Sequence, residues 1–163
     1  MTDRRANEAL RHLHPPPGVQ LWHGGATVLG SLRGVSSETA AWKPAPDRHS
    51  IWALTLHIAY WKYAARRRIA DEKRGGFPRD PSNWPSVPEV SNAKAWDNDR
   101  ALLKDCHMRL VEAMESFNPE HLDDLAGGEG KTTYADLFFG IVLHDAYHVG
   151  QIQMLKRLAN QLL

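Results

Sequence analysis

The longest helical pattern in the chain lies near its end, from about Thr133 to Gln161. Taken in alternating steps of four and three residues, this pattern gives an apolar seam with a polar interval in its middle. The seam comprises Leu137, Ile141, His144, His148, Gln151, Leu155 and Leu158. Because leucine and isoleucine continue the seam on both sides of the interval, we expect the two histidines to face the interior of a helical bundle.

Three other helical patterns precede this one, at about Gly18–Gly34, Ser50–Gly76 and Ser91–Phe117. The first is the weakest, because its three internal glycines disfavour a helix. Between the second and third patterns, residues 77–90 contain four prolines and are expected to form a long crossover. No stretch alternates convincingly with period two. The sequence therefore predicts an all-α, four-helix bundle in which the crossover gives an up-up-down-down topology.

The 163 residues fit a single domain over residues 1–163, with residues 1–17 as an N-terminal extension. A formal net charge of +1 gives no general attraction to nucleic acid or to an anionic membrane, so we expect neither as a partner. One cysteine, Cys106, excludes an internal disulfide, and its apolar surroundings suggest an inert thiol. His107 next to it is expected to face solvent. With no secretory or membrane-spanning segment in the pattern, the expected location is the cytoplasm.

A buried imidazole needs partners for both ring nitrogens, and a metal ion can be one of them. His144 and His148 are four residues apart, a spacing that lets both bind one cation. Nine histidines in the chain make such a pair weak evidence alone, and hydrogen bonds to carbonyls or other side chains would satisfy the rings equally well. His57, flanked by Leu54 and Trp61 on the inward face of the second helix, adds a third candidate ligand.

Several neighbouring residues are candidates for supporting positions. His23 is a candidate fourth ligand or substrate contact, although a packing or surface role is more common for such a histidine. Asp145 and Gln151 are candidates for orienting an imidazole by a hydrogen bond, and a contact of Asp145 with another helix is equally compatible with its position. Aromatic residues that would line a pocket above the metal are Tyr60, Trp61 and Tyr147, unless they belong to the core.

Two stretches carry a resemblance to a known family. They are "HSIWALTLHIAYWKY" and "LHDAYHVGQIQMLKRL", and the HxxYHxGQI pattern in the second is the most specific part. From about Leu21 to Leu158 the sequence resembles the DinB-like (YfiT-like) superfamily of bacterial proteins. The resemblance implies a four-helix bundle with up-up-down-down topology, frequent dimers, and a metal-binding triad at His57, His144 and His148.

These observations together predict a divalent metal site with three histidine ligands and an open position, suited to zinc, nickel or iron. The resemblance implies a metal-dependent hydrolase or a thiol-dependent transferase that acts on a small molecule. A low-molecular-weight thiol would then be a co-substrate, and a homodimer the expected assembly. The alternative is a non-catalytic bundle that binds a ligand or dimerises and whose buried histidines are structural, so enzymatic activity stays open at this stage.

Overall fold

The computed structural model describes residues 3–22, 24–73, 75–127 and 130–162. Within those ranges the chain forms six α-helices, one short 3-10 helix at Pro119–His121, and no β-strand. The α-helices are α1 (Arg4–Leu13), α2 (Val28–Ser31), α3 (Ser37–Ala41), α4 (Ile51–Ile69), α5 (Ala93–Ser116) and α6 (Tyr134–Leu162). The prediction of an all-α fold is confirmed. In the described ranges, no helix has the length and the hydropathy needed to cross a bilayer.

The three long helices begin close to where the sequence predicts. At the start of α4 the Ser50 hydroxyl accepts a hydrogen bond from the Ala53 N–H, which is the N-cap role expected of this serine. The Asn92 side chain caps α5 in the same way. Helix α4 ends at Ile69, earlier than the glycines that the sequence suggested, after a last turn that contains three arginines. Positive charge at that position complements the partial negative charge of the helix C-terminus.

The N-terminal region differs from the prediction. Of the helix expected over Gly18–Gly34, only the four residues of α2 are helical among the residues that the structure describes. Helix α1 instead forms within the predicted extension and buries Ala9 and Leu13 against α5 and α6. A small apolar face is therefore enough to dock this otherwise polar helix. The single domain over residues 1–163 stays a prediction.

Helix α4 lies at the centre of the packing. It contacts α5, α6 and α3, and most of its residues are buried. Near its start, Trp52 packs against Trp96 of α5 and donates its indole N–H to the Asp99 carboxylate. Asp99 also pairs with Arg79, which anchors the crossover between α4 and α5 to the bundle. This packing leaves one face of α4 in contact with α6. The Arg79–Asp99 ion pair holds the start of the crossover against α5.

A buried ion pair joins α4 to α6. The Lys62 ammonium, which is fully buried, donates to the Asp145 carboxylate, whose residue is 8% exposed. Burial raises the pKa of Asp145, and the neighbouring positive charge of Lys62 opposes that effect. Because two charges inside a bundle are stable only when they meet, the pair fixes how the two helices align. Asp145 directly follows His144 in the sequence, so the same alignment positions the polar interval of α6.

The prediction that His107 faces solvent is wrong, since this residue is only 2% exposed. Its Nε2 atom lies 3.1 Å from Nδ1 of His14, which directly follows α1. The apolar stripe of α5 correctly predicted one buried face, but α1 covers a second face of that helix. Burial lowers the pKa of His107 to about 3, with smaller contributions from the nearby Lys62 and His14 side chains.

We predict that acid destabilises the protein through His107. The pKa of an unfolded histidine is about 6.5, whereas the folded value is about 3, so between these values the unfolded chain binds the extra proton. The free energy of unfolding should therefore decrease as the pH falls from about 6.5 toward 3, by at most about 1.4 kcal/mol per pH unit for one proton. Urea unfolding of the metal-free protein across this range measures the slope.

In His107→Leu the slope should be smaller than in the parent protein. Gln153→Ala, which removes no titratable group, provides the control variant and should leave the slope unchanged. His144, whose pKa burial also lowers to about 3, contributes equally to all three proteins. An identical slope for His107→Leu and the parent protein would contradict the prediction.

Candidate metal centre

Helices α4 and α6 bring His57, His144 and His148 together. One ring nitrogen from each lies within 4.8 Å of the other two, so a single cation could contact all three rings. His57 and His148 are buried and His144 is half-buried. The ring centroid of His57 lies 5.1 Å from that of His144 and 4.8 Å from that of His148.

The spacing of two nitrogens fits the chemistry of a metal site. Nε2 of His57 and Nε2 of His144 are 3.2 Å apart. Two imidazole nitrogens bound tetrahedrally at about 2.0–2.1 Å from a zinc-like cation are separated by about 3.3–3.4 Å. The observed distance is close to the separation that a shared cation imposes on its ligands, and it is also the distance of an N–H···N hydrogen bond between the two rings.

Hydrogen bonds at the outer nitrogens fix two of the rings. Nδ1 of His57 donates to the backbone carbonyl of Asn83 at 2.6 Å, and Nδ1 of His148 donates to the side-chain oxygen of Gln151 at 2.7 Å. Carbonyl and amide oxygens only accept hydrogen bonds, so each Nδ1 carries the proton and each Nε2 keeps its lone pair. In protein metal sites the ligating histidine commonly uses its other nitrogen in this way.

His144 is held differently. Its Nδ1 atom is buried and has no hydrogen-bond partner among the described residues. If Nε2 carried the proton and donated to His57, the lone pair of Nδ1 would be left unpaired inside the protein. If Nδ1 carried it, the lone pairs of the two Nε2 atoms would face each other at 3.2 Å. A cation between the Nε2 atoms removes the repulsion of the two lone pairs, although Nδ1–H of His144 still has no acceptor among the described residues. The Nε2 atoms therefore fit a bound metal, while His144 lacks the outer hydrogen bond that the other two rings make.

The surroundings keep all three imidazoles neutral. Burial is the main cause that lowers the pKa of each ring, and for His144 it lowers the pKa to about 3. For His57 and His144 the nearby His148 lowers the pKa further, since two positive charges at this distance repel. Neutral imidazole is the form that binds a cation, so no proton has to be displaced at neutral pH.

The crossover contributes to this site, which the sequence did not indicate. Asn83 has a left-handed backbone with φ of 73°, a conformation that asparagine tolerates better than most residues. It presents its carbonyl to His57, and its side chain accepts from the indole N–H of Trp61 at 2.8 Å. The next residue, Trp84, stacks on the His57 ring at 3.8 Å, and His49 stacks on the other face of Trp84 at 3.7 Å.

Two cavities reach the histidines from different sides. The first, which we call the His144 cavity, has a volume of about 250 Å³ and lies between Trp61 and α6. The second, the His148 cavity, has a volume of about 390 Å³ and is bounded by His49, Trp84 and Tyr147. Each cavity ends on one of the candidate ligands. Small molecules could therefore approach the same centre from either side.

The other residues singled out in the sequence occupy varied positions. Gln151 contacts His148 as described, whereas Asp145 pairs with Lys62 and makes no hydrogen bond to a histidine in the described ranges. Tyr147 is 65% exposed and contacts the edge of the His148 ring.

The aromatic residues of α4 divide between two environments. Trp61 lies within 6.4 Å of the His57 ring centroid and 6.0 Å of that of His144, and it lines the His144 cavity. Tyr60 packs against Trp61 and Phe77 and lines a separate polar cavity beneath the crossover. His23 lies outside the described residues.

The fold and this centre define an all-α protein that carries a compact histidine group positioned to hold a metal ion. A family model described as DinB superfamily matches residues 20–152. The chain therefore belongs to the DinB superfamily, as its two histidine-containing stretches suggested. No curated protein and no solved structure matches the sequence.

Replacing Gln151 tests the role of its hydrogen bond. Without this acceptor the ring of His148 is free to rotate, and loss of such a partner typically weakens metal binding about 10- to 100-fold. We expect Gln151→Ala to bind zinc with this lower affinity, as measured by a competition titration against a chromophoric chelator. Gln153→Ala on the same helix provides the matched control and should bind as the parent protein does. Equal affinities for the two variants would contradict the role of Gln151.

Proposed function

We propose that this protein binds one divalent metal ion through Nε2 of His57, His144 and His148. The observation that carries the proposal is the pair of Nε2 atoms at 3.2 Å, together with outer hydrogen bonds that leave the lone pairs of His57 and His148 directed inward. Three imidazoles fit zinc, nickel or iron, because imidazole is a good ligand for all three metals.

We further propose that the centre is catalytic. A divalent cation held by three neutral ligands keeps its charge and, at an open position, lowers the pKa of a bound water or thiol. The two cavities favour a reaction between two small molecules, since hydrolysis would need room for only one substrate besides water. We therefore rank a transferase that uses a low-molecular-weight thiol ahead of a metal-dependent hydrolase.

The protein's own residues would shape this reaction. Trp61 and Trp84 form apolar walls on the two sides of the histidines, which would exclude water and orient flat or apolar substrates. His49 lines the His148 cavity and is exposed at its mouth, where it could accept or release a proton. Helical periodicity gave no indication of His49, because this residue precedes α4 and lies outside any helical pattern.

The proposed assembly is a four-helix bundle of up-up-down-down topology that forms a homodimer in the cytoplasm. The outer face of α6 supports self-association, because it exposes several large apolar side chains. These are Tyr147, Met154, Leu158 and Leu162. An apolar stripe of this kind on a helix is commonly covered by a partner. No nucleic-acid or membrane partner is part of the proposal.

Elemental analysis tests metal binding. Protein purified without an affinity tag should contain about one divalent metal ion per chain, and His148→Ala should lose it because two imidazoles bind far more weakly than three. The exposed histidine variant His121→Gln should retain the full metal content. A metal-free protein that refolds with zinc present and still binds none would refute the proposal and favour the alternative, a non-catalytic bundle with structural histidines.

An assay with a thiol and an electrophile tests the ranking of reactions. We expect metal-loaded protein to accelerate the attack of glutathione or another small thiol on 1-chloro-2,4-dinitrobenzene, in which a C–S bond forms, chloride leaves and the thiol proton goes to the buffer. His148→Ala should return the rate to that of the thiol alone. Absence of acceleration across several thiols, combined with hydrolysis of a small ester that depends on the metal, would reverse the ranking.

A further inference from the structure

The His144 cavity has a chemical character that the proposed function does not specify. Its walls are mainly apolar and include Trp61, Leu137 and Ile141. Two charged side chains, Arg68 and Asp136, also line it. A cavity with an apolar body and few charged groups binds ligands that match both features, so the state of the two charges decides which ligand fits.

Asp136 is already engaged by its own helix. Its carboxylate accepts a hydrogen bond from the Thr133 N–H at 2.8 Å at the start of α6, where a negative charge is favoured. Hydrogen bonding to the backbone and side chain of Thr133 also lowers the pKa of Asp136. One of the two carboxylate oxygens therefore takes part in a helix cap.

Arg68 differs from the two arginines that precede it in the last turn of α4. Arg66 pairs with the Glu72 carboxylate, and Arg67 donates to the backbone carbonyl of Glu72. In the described part of the chain Arg68 forms no ion pair and no side-chain hydrogen bond, and it is the one cationic side chain among the described residues that line the His144 cavity. Arg68 is exposed, so its guanidinium donors contact water and remain available to a ligand, in a geometry suited to carboxylate.

From these observations we propose that the His144 cavity binds the carboxylate form of a small apolar acid, with Arg68 holding the carboxylate and Trp61 contacting the apolar body. The inference rests on the proposed function and adds a substrate class to it. Arg68 is then a specificity-determining residue, because a neutral analogue of the same shape lacks the charge that the guanidinium recognises. The acid's reacting end would point toward His144, at the other wall of the cavity.

The probes that test this proposal are hexanoate and its neutral analogue hexanamide. Binding is followed through the indole N–H signal of Trp61 in NMR titrations, with and without added zinc, so the readout does not depend on activity. We expect hexanoate to bind more tightly than hexanamide, and Arg68→Gln to weaken hexanoate by about fivefold, the size of one partly exposed ion pair. Arg67→Gln makes the same charge change outside this cavity and should leave the affinity unchanged.

A second pair of variants tests the cavity itself. Gly140 lines the His144 cavity and Gly150 does not, and an added side-chain carbon at either position meets no neighbouring atom within 4 Å. Both replacements by leucine favour helix, so both variants should fold. Gly140→Leu should abolish binding of hexanoate, and Gly150→Leu should preserve it.

The outcomes separate this inference from the proposed metal site. Hexanoate binding that depends on Arg68 would support the cavity whether or not zinc is present, and failure of the same protein to take up added zinc would separately refute the metal proposal. Binding that requires zinc but is the same in Arg68→Gln would mean that the metal alone holds the carboxylate, and would overturn the inference. Equal binding of hexanoate and hexanamide, or unchanged binding in Gly140→Leu, would overturn it as well.

Discussion

The ion pair between Lys62 and Asp145 is the interaction on which the geometry of the centre depends. Both charges are inside the bundle, where separating them leaves an uncompensated charge and typically costs about 3–5 kcal/mol. Lys62 lies a little more than one helical turn beyond His57, and Asp145 is adjacent to His144. A slip of α6 along α4 by one turn would break the pair and move His144 away from His57. The helices are thus locked in the one alignment that brings the imidazoles together.

A second requirement is that the buried imidazoles stay neutral and oriented. Burial alone favours the neutral form but does not decide which nitrogen carries the proton. The Asn83 carbonyl keeps the proton on Nδ1 of His57, and the Gln151 side-chain oxygen keeps it on Nδ1 of His148. One of these acceptors comes from the same helix as its histidine and the other from a proline-rich loop. The loop is itself tied down by the hydrogen bond between Asn83 and Trp61 and by the ion pair between Arg79 and Asp99.

Much of this arrangement could be predicted from the sequence, because helical periodicity encodes which side chains face inward. The seam of α6 placed His144 and His148 on the inner face, and the apolar neighbours of His57 did the same for α4. The end of the α6 seam was wrong, since Leu158 is 38% exposed. Periodicity carries no information about residues outside helices, so the contacts of Asn83, Trp84 and His49 could not be predicted.

Helical periodicity also does not show which polar face of a helix will be covered by another part of the chain. The burial of His107 beneath the N-terminal helix α1 was missed for that reason. The glycine-rich segment before α2 shows the opposite error, where apolar spacing suggested a helix that the glycines do not support.

The stack of His49, Trp84 and His57 should change the NMR chemical shifts of the His57 ring protons. An indole lying 3.8 Å from an imidazole and tilted by only 12° shields the nuclei above its face through its ring current. The carbon-bound ring protons of His57 should therefore resonate upfield of those of an exposed histidine. Because the indole belongs to the crossover, the size of this upfield shift in the metal-free protein reports whether Trp84 stays stacked on His57.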